Sequence, residues 1–288
     1  MPGWQDSVDW LAFAGIPKDT KVKHSINDLY LRAFGLLEDD LIIDFNRKSG
    51  PHLVTQILQG CMRDGDGEIL DPSVFWDLTV GKRIECLLTI VALAPNSPSI
   101  LAFRFRCSSA TCQQRIEMDI SVAELADLQH QAEETDHCLI ELSGENIKVR
   151  KPTARDQLAW LQHPFTDENE AEEKMIRSLI IDTEKTPSGN RLAITPEVVG
   201  RVNEAMQDFD PLVNFSLQVR CPYCSEEHLY ELDLEGLSLQ KLYESRLTLL
   251  NAIHRLATQY HWSEQQIFAI PPWRRSHYLT LIGKEETL

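Results

Sequence analysis

The sequence has no run approaching the roughly 18 apolar residues that a membrane-crossing helix needs. No basic segment leads into an apolar one at its start, Met1-Pro2-Gly3-Trp4-Gln5-Asp6. These two absences lead us to expect a protein with no membrane span whose chain starts in the cytosol. Positive charge is also scarce: 28 Lys and Arg stand against 44 Asp and Glu, a formal net charge of −16. Such a balance repels phosphate backbones and anionic membranes and argues against nucleic acid as the main partner. The nucleophile elbow, the phosphate loop and the zinc-protease helix pattern are all missing, so nothing supports catalysis or a small-molecule substrate.

What is there is a chain of 288 residues, 43% hydrophobic, enough for a sizeable core in one large or two modest domains. It holds seven cysteines. Without a secretion signal these read as reduced thiols or ligands rather than a disulfide framework. Four of them fall in two pairs, Cys107 with Cys112 and Cys221 with Cys224. Each pair lies between two alternating apolar and polar runs, Leu101 to Phe105 and Ile116 to Ile120 for the first, Phe215 to Val219 and Leu229 to Leu234 for the second. That period of two predicts half-buried strands, so a unit of strand, thiol pair and strand occurs twice.

Four thiolates suit Zn²⁺, a tetrahedral ion that binds sulfur at about 2.3 Å. On this reading Cys107, Cys112, Cys221 and Cys224 form one structural zinc site that ties together strands separated by a long insert. The competing reading is redox chemistry, because Cys221-Pro222-Tyr223-Cys224 is also the active-site tetrapeptide of glutaredoxins. A redox pair of that kind sits at a helix N-terminus, whose dipole lowers the thiol pKa. The residues that follow here alternate like a strand instead. A third reading is a nucleic-acid-binding zinc ribbon. Cys61, Cys86 and Cys138 have no partner at ligand spacing and are expected as small buried hydrophobes. His228 lies near the second pair, but four sulfurs already complete a set, and His137 reads as a loop side chain. His254 and His261 are two helical turns apart, too wide to chelate one ion by themselves.

The rest of the chain reads as mostly helical. A helix is expected over 25 to 37, capped by Ser25. Gly65-Asp66-Gly67 and Asp71-Pro72 read as turns, the second just before Val74-Phe75-Trp76, and Ile84 to Leu93 as a buried helix. Ser121 to Glu134 reads as a short acidic helix or loop. A hairpin across 143 to 146 joins Cys138–Leu142 to Ile147–Arg150, and helices follow over 156 to 161, 170 to 181 and 196 to 208, the last capped by Thr195. Thr186 to Asn190 reads as an exposed loop. Ser238 to His261 predicts a long helix with Leu242, Leu249, Ile253, Leu256 and Tyr260 on one stripe. Ser263 opens a short helix that Pro271-Pro272 ends, and a last helix runs from Trp273 to Ile282. The expected class is α+β: a small antiparallel strand core built from two zinc-knuckle-like units, a helical insert at about 121–210 and C-terminal helices at 238–282. Residues 1–73 are expected as an N-terminal extension to a zinc-tied domain of 74–288.

At the C-terminus the residues become distinctive. Ile253-His254-Arg255-Leu256-Ala257, Tyr260-His261-Trp262-Ser263-Glu264, Ile267, Ile270-Pro271, Arg274-Arg275 and Tyr278-Leu279, in that order, resemble the C-terminal signature of the T-even phage baseplate hub assembly proteins and their relatives in bacterial contractile injection systems. Leu78 to Arg83 resembles that family's first half, and Lys151-Pro152-Thr153 with Asp156-Gln157-Leu158 its middle. The resemblance spans roughly residues 74 to 282. The first thiol pair departs from it, with four residues between its cysteines and neither Pro nor Gly. The resemblance implies a non-enzymatic component or assembly factor of a contractile baseplate, whose partners are other baseplate, hub or tail proteins. In that account 239 to 282 is the docking element, and His261, Trp262, Trp273, Arg274, Arg275 and Tyr278 are its contact residues. The plainer reading of the same apolar stripe is that it covers the chain's own sheet.

Overall fold

The computed structural model describes residues 9–14, 28–46, 50–94, 100–132, 135, 137–142, 145–182 and 193–285. In chain order, β1 (Leu11–Ala14) and β2 (Asp28–Leu31) precede a 3₁₀ turn at Glu38–Ile42, α1 (Gly50–Cys61), β3 (Met62–Asp64) and α2 (Pro72–Asp77). Then come α3 (Val80–Ala92), the hairpin β4 (Ile100–Arg106) and β5 (Arg115–Ser121), and α4 (Val122–Gln131). The insert continues with β6 (His137–Leu142), β7 (Glu145–Arg150), α5 (Ala154–Gln162), α6 (Glu168–Leu179), β8 (Ile180–Asp182) and α7 (Pro196–Phe209). A second hairpin, β9 (Ser216–Arg220) and β10 (Glu227–Glu231), leads into α8 (Leu234–Tyr260), α9 (Glu264–Phe268) and α10 (Pro272–Glu285). The strands form small antiparallel sheets, ordered β1-β2-β3, β4-β5, β6-β7-β8 and β9-β10. The class is α+β. Among the described residues no helix is long and apolar enough to cross a membrane.

The organising element is α3, buried as expected along almost its whole length. Val80, Ile84 and Leu88, four apart and so on one face, pack with Leu101, Phe103, Val122, Leu125, Leu212 and Leu234. Its other side presents Cys86, Leu87, Ile90 and Val91 to a core that also holds Leu29, Leu31, Ile57, Phe75 and Leu242. The boundary expected at residue 73 therefore runs through one hydrophobic cluster. Burial extends to charged side chains, and a low-dielectric interior makes partners for them valuable. Arg83 donates to Thr55 Oγ1 and to the carbonyls of Phe75 and Pro51, and Lys82 pairs with Glu85 at 3.0 Å.

Thr79 caps α3 by accepting from Lys82 N, and Thr153 caps α5 by accepting from Asp156 N. The two threonines pair across an antiparallel bridge, with Val80 N donating to Pro152 O and Ala154 N to Leu78 O. Two helices thus start side by side from segments far apart in sequence.

Several boundaries differ from those expected. No helix spans Ser25 to Leu37: residues 28–31 are strand β2, whose Leu29 and Leu31 are fully buried, and Gly35 turns the chain at φ 86°. Ser25 itself lies outside the described residues, as do Ser143, Gly144 and the loop at 186–190. Residues 72–77 are helix α2, capped by Asp71. The helix expected to reach Ile181 ends at Leu179, because Ile180 is extended and pairs with Val149 of β7. The strand expected to reach Leu234 ends at Glu231, and Asp233 caps α8 there, four residues before the expected start. Pro272 opens α10, and α9 has already closed at Phe268. The predicted hairpin forms with β7 starting at Glu145, two residues inside the expected turn; the Thr195 and Ser263 caps and the buried thiols Cys61 and Cys86 stand as expected, while Cys138 is half-buried.

Candidate metal centre

Each cysteine pair sits at the tip of a two-stranded hairpin. β4 and β5 pair from Ile100↔Ser121 to Arg106↔Arg115, and β9 and β10 from Ser216↔Glu231 to Arg220↔Glu227. The tips follow one pattern. The amide of the first cysteine donates to the residue two beyond the second, Cys107 N to Gln114 O and Cys221 N to Glu226 O. The residue right after the second cysteine is left-handed in both, Gln113 at φ 47° and Ser225 at φ 63°. That amide also closes each turn, Gln113 N onto Ser109 O and Ser225 N onto Cys221 O. Ser109 thus takes the turn position that Cys221 holds in the second tip. Cys107 lies two residues earlier, and the period of an extended chain returns its side chain to the same face. The looser spacing is accommodated.

The hairpins meet tip to tip. Phe105 stacks on Tyr230 with ring centroids 4.4 Å apart, and the Tyr230 hydroxyl donates to Arg106 O at 3.0 Å. Ile116 and Val219 are buried beside them. This brings all four predicted sulfurs together: Cys107 Sγ lies 3.6 Å from Cys224 Sγ, Cys112 Sγ lies 3.8 Å from Cys221 Sγ, and the four atoms fall within 4.8 Å of one another. A tetrahedron of sulfurs about 2.3 Å from a central zinc has edges of roughly 3.8 Å, so the spacing fits that ion. Cys107 and Cys221 are buried, Cys112 and Cys224 half-buried.

Backbone donors are aimed at the sulfurs. Burial raises the Cys221 thiol, but the amides of Cys224 and Tyr223, with the thiols of Cys224 and Cys107, outweigh it and bring it down to about 7. Burial pushes Cys107 up to about 12, with the Ser109 amide opposing and the three other thiols adding to the rise. Cys224 accepts from the Glu226 amide, which lowers it, yet burial and the Cys221 and Cys112 thiols carry it upward. Without a cation, negative charge settles first on one sulfur and resists spreading to its neighbours.

The sequence reading set His228 aside, and the structure brings it to the cluster. Its Nε2 lies 3.2 Å from Cys107 Sγ and its Nδ1 2.6 Å from Ser108 Oγ. The only sequence signal for it was proximity to Cys224.

The six residues expected as partner contacts fall into two groups. His261 is exposed, the left-handed C-cap of α8 at φ 56°. Trp273 is 65% exposed, and Arg274, also exposed, donates to Tyr278 Oη. Trp262 and Tyr278 instead pack with Tyr260, rings 4.6 to 5.4 Å apart, over Leu256, Ile267 and Ile282. Arg275 is buried against the Phe268 ring, and burial lowers its pKa. The apolar stripe of α8 is covered by the chain itself, by α3, α9, α10 and Leu41.

A cleft of about 720 Å³ opens between α6, α7 and the second hairpin. Glu168, Glu172, Glu231 and Asp233 line it and make it unfavourable for anions. Comparison with protein-family models, with curated proteins and with solved structures finds no match for the chain.

Proposed function

We propose that the chain is a non-enzymatic baseplate component, or baseplate assembly factor, of a contractile phage tail or phage-tail-like injection system, fastened by a structural zinc ion. The observation that carries the metal is the meeting of Cys107, Cys112, Cys221 and Cys224 at zinc-thiolate spacing. In this reading the two hairpin tips are zinc-knuckle-like units, the ion supplies positive charge to four thiolates, and its binding free energy is folding free energy. The baseplate half is supported by the ordered residues from Ile253 to Leu279. The partners are other baseplate, hub or tail proteins. His261, Trp273 and Arg274 face them, while Trp262, Arg275 and Tyr278 hold α10 in place.

Two measurements test this. Freshly purified protein should contain about one zinc per chain, with all four cysteines resistant to alkylation until the metal is chelated. Deleting the gene should leave tubes and sheaths without completed baseplates in electron micrographs. Normal contractile particles in the deletion strain, or a genome with no neighbouring sheath, tube and spike genes, would sink the assignment. A thiol oxidoreductase with Cys221 as nucleophile and Cys224 as resolving thiol draws on the lowered Cys221 pKa. Strand β10 follows that pair, however, and Cys221 is 1% exposed. A metal-free protein whose Cys221 alkylates readily would favour it. A zinc ribbon for nucleic acid predicts DNA or RNA binding at low salt, against the −16 charge.

A further inference from the structure

The two hairpin tips differ in how they supply hydrogen bonds to their first cysteine. In the compact tip Cys221 accepts from two backbone amides of its own turn, Tyr223 and Cys224. In the longer tip Cys107 has the Ser109 amide and, besides the neighbouring thiols, a side chain from the opposite hairpin, His228, 3.2 Å from its sulfur. A metal-bound thiolate carries no proton and can only accept, so the 3.2 Å contact requires Nε2–H to donate. That holds whether the ring is neutral or charged. The Ser108 hydroxyl, 2.6 Å from Nδ1, fixes the ring plane from the far side. Ser108 is also one of the residues by which the first tip is longer than the second.

We infer that His228 is the positioning residue of the metal clasp: held by Ser108, it donates its Nε2–H to the Cys107 thiolate from the opposite hairpin. The inference rests on the metal reading of the four cysteines. His228 is not a fifth ligand. The four sulfurs group together, whereas the imidazole groups with Cys224 and Glu226 rather than with all four. The arrangement follows a general habit of metal sites, in which partners outside the ligand set orient the ligands and tune their charge. It also adds a cross-hairpin link at the corner where Phe105 stacks on Tyr230.

The test uses the full-length chain loaded with zinc or with cobalt. In H228A, release of zinc to a chelator should be about 10-fold faster than in the wild type, the range found for such outer partners. A hydrogen bond stabilises sulfur lone pairs, so its loss should also move the sulfur-to-cobalt charge-transfer band to longer wavelength, a readout that looser packing alone does not produce. H228Q, whose amide N–H stands near the position of Nε2, should restore both values. S108A, which keeps the imidazole but frees it, should shift both in the same direction by less, and it serves should H228A fold poorly. Unchanged release and an unchanged band in H228A would overturn the inference, as would failure of H228Q to rescue. A change of the cobalt ligand-field bands from a four-sulfur pattern on mutation would overturn it in favour of direct ligation. A wild-type chain that takes up neither metal defeats the metal reading itself, a result distinct from these.

Discussion

Gly81 occupies the second position of α3, where α4 and the end of α7 close over it. A Cβ there would collide with the Asp210 carboxylate and the Gln129 amide, which hydrogen-bond each other at 2.8 Å. Both side chains are fully buried and have nowhere to go. G81A should therefore destabilise by about 2 kcal/mol, the usual cost of overfilling a packed interior, read as a lower urea midpoint at unchanged slope. A second residue-scale expectation concerns Asp156, which completes the α5 cap by accepting from Thr153 N and holds Arg150 in a fork at 2.6 and 2.8 Å. Burial raises its pKa, but the bonds from Arg150 and Thr153 more than offset this, and the folded value lies below the ordinary one. The carboxylate thus stabilises the fold above the unfolded pKa of about 3.9, and that contribution is lost as pH falls through the lower folded value. D156A should cost about 1 to 2 kcal/mol at pH 7. Its deficit against the wild type should narrow below pH ~4, and a deficit constant down to pH ~2 would contradict the account. Both residues lie in segments of the resemblance, yet nothing in the sequence assigned either of them a packing or pairing role. A glycine is defined by what would strike its missing side chain, and His228 by a hydroxyl and a thiol about 120 positions away. Spacing along the chain encodes neither. The four cysteines were legible because pair spacing and flanking alternation are local.

Among elements, α3 and α8 were readable because their apolar content is unmistakable, and the hairpins because alternation matches the pleat. β2 was misread because Ser25 with Asp28 imitates a helix cap, whereas the decision came from β1 and β3, partners it meets only in the fold. The C-terminal helices show how apolar stripes mislead about partners. Trp262 and Trp273 both looked like contact residues, yet Trp262 stacks on Tyr260 while Trp273 is 65% exposed. W262A should therefore lower stability by about 1 to 2 kcal/mol, because its ring is partly buried against the cluster of Leu256, Ile267 and Ile282. W273A should stay within about 0.5 kcal/mol of the wild type, because it vacates surface. If α10 docks on a baseplate partner, W273A should weaken that association without moving Tm. A W273A variant as unstable as W262A would show that Trp273 belongs to the core.

At the scale of the molecule, the sulfur cluster closes loops of 109 and 117 residues while the larger cores lie elsewhere. The clusters around α3 and within the insert contain none of the four clustered cysteines. The cluster between the tips is small, and its fully buried members are only Cys107, Ile116, Val219 and Cys221. An isolated two-stranded hairpin is marginal in water, and four thiols cannot replace an apolar core. If the tips hold zinc as proposed, removing it should therefore loosen them without unfolding the chain. β4 is also anchored at its start, since Leu101 and Phe103 pack on α3, so the loosening should stop there. With a chelator present, hydrogen exchange should accelerate at the amides of 105–118 and 217–230 and stay slow in α1 and α3. Adding zinc back should reverse the change, because an ion bound only by the closed form shifts the opening equilibrium by mass action. Exchange that speeds up equally in every element would mean the clasp supports the whole fold. Exchange unchanged at the tips would mean the Phe105 and Tyr230 contact holds them without metal.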